Sequence, residues 1–128
     1  MTPEQKLKHM ILIHSMGYQD LPAPESVTAE NIDELYEAGD DDYAQDARYE
    51  VREGEVETDI DAPSSRHYES KSVAAKAPDG SWVGWTYWYG GGKHGEPEAI
   101  DWMDSAYDLT CVEEEKVVTV RTFSKVSA

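Results

Sequence analysis

Between residues 30 and 61 the chain sets fourteen carboxylates against two arginines, Arg48 and Arg52, and no fold can bury such a segment. This quarter holds −12 of a formal net charge of −16, so it must lie at the surface of whatever core the remaining residues build. The core must come largely from elsewhere. Seven of the thirteen aromatic residues fall between Trp82 and Tyr107, with Trp85, Tyr87, Trp88, Tyr89 and Trp102 inside those bounds. At 128 residues the chain has the size of one domain, residues 1–128. It divides into an acidic helical or hairpin half, about 1–62, and an aromatic β half, about 63–128.

Charge and composition exclude several functions. A direct nucleic-acid binder needs the opposite sign. The longest apolar run, Met10–Ile13, is far too short to cross a bilayer, and no basic start followed by an apolar stretch marks a secretion signal. The single cysteine, Cys111, rules out an internal disulfide and a multi-cysteine zinc site. Its place between Thr110 and Val112 predicts a buried, inert thiol.

Local signals assign most elements. Thr2, Pro3 and Gln5 form the start of a helix over 3–16, with Leu7, Met10, Ile11 and His14 in one stripe and Gly17 as its stop. A second helix is predicted near 29–38, with Ile32, Leu35 and Tyr36 inward and Gly39 ending it. Residues 41–60 are ambiguous. Ala44, Ala47 and Val51 fit a helix, whereas Ala47, Tyr49 and Val51, then Val56, Thr58 and Ile60, alternate as a strand period on either side of Gly54. The hairpin is the reading adopted. Strands follow over about 67–77, 81–89, 105–112 and 116–124, the first pair joined by the turn residues Pro78-Asp79-Gly80. The expected fold is α+β: one or two N-terminal helices packed on an antiparallel sheet of four to six strands in a meander.

Within 81–89, Val83, Trp85, Tyr87 and Tyr89 share one face and Trp82, Thr86 and Trp88 the other. Trp85 and Tyr87 are expected to be buried. The second face is either covered by the acidic half or leaves a tryptophan exposed as an interface anchor.

Chemistry finds little foothold. Gly90-Gly91-Gly92-Lys93-His94-Gly95 lacks the spacing and the hydroxyl of a phosphate-binding loop, and Pro97 interrupts any helix after it. No pair among His9, His14, His67 and His94 has zinc-ligand spacing, and Asp40-Asp41-Asp42 lacks the alternating ligands of a calcium loop. No cofactor, metal or catalytic residue is expected, and the chain reads as a non-enzyme. The acidic stretch has the linear charge density of one nucleic-acid strand to within a factor of two, about one charge per 3.4 Å if wholly helical.

The stretch Gly84-Trp85-Thr86-Tyr87-Trp88-Tyr89-Gly90-Gly91-Gly92-Lys93-His94-Gly95-Glu96-Pro97, continuing to Ile100-Asp101-Trp102, resembles a segment of small uncharacterised proteins carried by temperate bacteriophages and prophages of enteric bacteria. The likeness spans about residues 73–125, leaves out the acidic quarter and carries no catalytic or binding residue. It implies a bacterial cytoplasm and an accessory role. Small acidic phage proteins of this kind resemble inhibitors of host nucleases, restriction systems or CRISPR complexes. The expectation is therefore an acidic accessory protein that binds and inhibits a basic, nucleic-acid-handling host protein or nucleoprotein complex, with nucleic-acid mimicry as a means of doing so. Its binding residues would be Glu37, Asp40, Asp41, Asp42, Asp46, Glu50, Glu53, Glu55, Glu57, Asp59 and Trp88. The alternative is a small phage structural or homo-oligomerising domain whose acids serve only solubility. The sequence leaves the partner's identity and the oligomeric state open.

Overall fold

A computed structural model describes residues 1–126. Helix α1 runs Pro3–Tyr18 and starts where the sequence places it. The Thr2 hydroxyl accepts from the Gln5 amide at 3.2 Å, and the Gln5 side chain accepts from the Thr2 amide at 3.0 Å, a reciprocal cap that satisfies two otherwise orphaned donors. Leu7, Met10 and Ile11 form its buried stripe.

Helix α2, Ile32–Ala38, begins three residues later than expected. The Asn31 side chain accepts from the Thr28 amide at 2.7 Å and donates to the Ser26 carbonyl at 2.9 Å, winding 26–31 into a turn that delays the helix. Tyr36 then ties three helices together: Lys8 and Arg48 lie over its ring, and Arg48 donates to its hydroxyl at 2.8 Å.

Residues 41–52 correct the expected hairpin: they form a third helix, α3, Asp41–Arg52. Asp40 caps it, accepting from the Asp42 and Tyr43 amides at 3.0 and 3.3 Å. Ala44, Ala47 and Val51 are buried, and their small side chains let α3 pack closely on α1. Tyr49, which a strand would have turned inward with Ala47 and Val51, is 43% exposed.

The sheet is an antiparallel meander in the order β1-β2-β3-β4, so the α+β arrangement stands. Its strands are β1 Val56–Glu57, β2 Glu69–Lys76, β3 Trp82–Tyr89 and β4 Tyr107–Leu109. The long central pair matches Val73 with Trp85 and Ala75 with Val83, all facing the helices. Trp85 is fully buried; its indole N–H donates to the Arg52 carbonyl at 2.9 Å, and its ring lies 5.4 Å from that of buried Trp102.

Tyr87, expected to be buried, is only half-buried: it packs at the margin of the core, one pleat nearer the sheet end, where Arg52, Lys71 and the Tyr89 ring lie against its own. The last two expected strands are also corrected. Pairing of the 105–112 segment is confined to Tyr107–Leu109, and 116–124 forms no strand. Its alternation puts apolar groups on both faces, Val118 and Val120 against Val117 and Phe123, and all four side chains stand exposed rather than packed on the sheet.

His9, on α1, carries a pH dependence. Burial holds its imidazole below the ordinary value, and the Asp79 carboxylate offsets this only in part. The folded chain therefore favours neutral His9, while the unfolded chain takes up a proton near pH 6.5. Stability from this site is complete above about pH 6.5 and is lost as pH falls below it. His9→Gln is expected to flatten the stability profile between roughly pH 7 and 5, as read by urea unfolding at stepped pH.

Candidate functional site

Helix α3 gathers the acids into a surface. Asp42, Asp46, Glu50 and Glu53 recur at i, i+4, i+8 and i+11, a spacing that puts them along one side of a helix, away from Ala44, Ala47 and Val51. All four are exposed, and the stripe runs about 16 Å along the axis. Asp41 is exposed in the first turn, and Glu37 is exposed in the last turn of α2, just before the short link to α3.

The two arginines of this quarter do not neutralise the stripe. Arg52 is 8% exposed; its guanidinium donates to the Trp88 carbonyl and lies 4.5 Å over the Tyr87 ring. Arg48 turns toward Tyr36. Both arginines sit on one flank of α3 at i, i+4, bordering its buried face. The sequence holds that signal, but it becomes legible only once the segment is read as a helix. Their inward turn leaves the outer face more uniformly negative than the residue count implies.

Among the described residues, two of the ten predicted acids have a basic group within ion-pair distance: Glu50, 3.6 Å from His14, and Glu57, 3.9 Å from Lys71. Asp40 differs from the others, because its carboxylate is committed to the helix cap. Asp33 is drawn away from the patch, since Lys8 at 2.9 Å and Gln5 at 3.3 Å hold its carboxyl below the ordinary carboxylate value.

The remaining predicted residues fall elsewhere. Glu55, Glu57 and Asp59 are exposed along β1 and its flanks, at one edge of the sheet. Trp88 alternates with Trp85 and Tyr87, so its half-buried side chain points to the sheet face opposite the helices. The structure therefore joins α3's acids into one face and does not bring Trp88 to it.

The glycine loop after β3 has a structural role. Gly91 and Gly95 let the chain pass against the Tyr68 ring, where a side chain at either position would collide with it. A cleft of about 510 Å³ between α3 and the Pro97–Ala99 turn is lined by Arg48, Tyr49, Glu96, Glu98 and Trp102 and holds both charge signs.

The helix-free sheet face carries what the sequence reading missed. An apolar groove of about 390 Å³ is lined there by Val56, Ile60, Trp82 and Leu109. Cys111 also lines it and is exposed, correcting the expectation of a buried thiol. β4 ends at Leu109, so the chain beyond it is no longer held in the sheet.

Among the described residues no group of three or more His, Cys, Asp or Glu is placed to hold a metal, and no helix is long and apolar enough to cross a membrane. No family model, curated protein or solved structure matches the chain.

Proposed function

We propose that the chain is a non-enzymatic accessory protein, phage-encoded and working in the bacterial cytoplasm, that binds and inhibits a basic nucleic-acid-handling host protein. The contact surface in this reading is the α3 stripe, flanked by Glu37 and Asp41. The observation that carries it is the inward turn of Arg48 and Arg52, which leaves exposed carboxylates with almost no counter-charge. Mutual repulsion along such a stripe works against the compact state, and a cationic partner would relieve it. Trp88 has no part in this surface, because it lies across the sheet.

The test is capture from a lysate of an enteric bacterium on the immobilised chain, followed by binding measurements on the retained protein. That protein should be basic. Its affinity should fall at least tenfold as salt rises from about 50 to about 500 mM, which shortens the Debye length from roughly 14 to roughly 4 Å. Converting Asp42, Asp46, Glu50 and Glu53 to their amides should lower affinity by a similar factor and leave the fold intact, because the Asp40 cap is untouched. Amides at the exposed Asp20, Glu25, Asp104 and Glu114 remove equal charge from scattered loops and should have little effect. Equal losses from both quadruple variants would reduce the effect to net charge and defeat the proposal.

A further inference from the structure

We infer that residues 116–126 are a basic, apolar strand exchanged between two copies of the chain, each docking on the free edge of β4 and the apolar groove of the other. This inference is independent of the acidic-face reading.

Three observations converge on it. The segment is the most exposed apolar stretch of the protein: Val117, Val118, Val120, Phe123 and Val126 are between 75 and 102% exposed, though their alternation suits a strand. The groove supplies a matching surface. Val56, Ile60, Trp82 and Leu109 face solvent on the side of the sheet that no helix covers, and β4 is an edge strand whose outer backbone groups lack a neighbouring strand. The charges are complementary. Residues 116–126 contain Lys116, Arg121 and Lys125 and no acid, whereas the rest of the chain carries −19. Asp59 and Glu113 line the groove itself.

The segment's own sheet is a poor destination. To pair with its own β4 it would have to reverse at Glu113-Glu114-Glu115. Tight hairpins favour glycine, asparagine or aspartate at positive φ, and here three adjacent carboxylates repel one another. Reaching a second molecule needs no reversal. Reciprocal exchange closes the pair with two-fold symmetry and fills both grooves at once.

Sedimentation of the full chain is expected to give twice the 14.4 kDa chain mass at micromolar concentration. Cys111 is a built-in reporter: its reaction with dithiobisnitrobenzoate should slow severalfold as concentration rises and the groove becomes covered. Val118→Ser with Val120→Ser should weaken the dimer at least tenfold and restore fast Cys111 reaction. The monomer's near-ultraviolet spectrum should not change, because both valines are solvent-exposed. Lys116→Glu with Arg121→Glu and Lys125→Glu should do the same. A monomer whose Cys111 is protected at every concentration would place the segment on its own sheet and overturn the exchange. A monomer with fast Cys111, or a dimer indifferent to both variants, would overturn it as well.

Discussion

Replacing Trp85 by alanine is expected to cost about 3–5 kcal/mol, a large share of the stability of a domain this size. The indole is fully buried at the centre of the core, where Leu7, Met10 and Ile11 of α1 meet Val73 and Val83 of the sheet. Removing it opens a cavity, ends the contact with Trp102 and leaves the Arg52 carbonyl without its donor. Urea unfolding should show a lower midpoint with little change in slope. Trp85→Phe isolates the hydrogen bond, since it keeps most of the apolar volume; its cost is expected to be about 1–3 kcal/mol. An alanine variant that loses less than about 1 kcal/mol would place the ring outside the core.

Gly54→Ala should be the second most damaging substitution, at about 2–4 kcal/mol. Gly54 turns the chain from α3 into β1 with φ of +75°, and its amide bonds back to the Val51 carbonyl at 3.0 Å, as a left-handed helix stop requires. An added Cβ there would lie 2.8 Å from the Cβ of Val73, which is buried on β2 and cannot swing away. The left-handed conformation itself accounts for roughly 1–2 kcal/mol and the overlap for the rest. Gly80→Ala is the matched comparison. Gly80 has φ of +89° with open space around its Cα, so only the conformational part should appear, about 1 kcal/mol. Equal losses at the two positions, measured by thermal and urea unfolding, would contradict the close approach of the α3–β1 link to β2.

Several features were decided by the sequence alone because their causes are local. The cap at Thr2 and Gln5 starts α1 using residues three apart. Pro78-Asp79-Gly80 reverses the chain between two strand-forming runs, and β2 and β3 pair around it. The acids of residues 30–61 stay at the surface wherever their backbone goes, because burying them unpaired costs more than any fold can return. Tertiary structure decided the rest, and in each case the deciding partner is distant in the chain. Residues 47–52 satisfy a strand period and a helix period alike. The helix prevails because α1 offers a face for Ala44, Ala47 and Val51, and β3 offers the Trp88 carbonyl to Arg52. That choice turns both arginines inward and makes one negative face of acids that the sequence only lists. The same dependence works in reverse after β4. Residues 116–124 have strand-forming side chains but no local turn to fold them back onto the open edge of β4, so their alternation alone does not make them a strand. Periodicity states which groups share a face; only a packed surface supplies the free energy that buries one.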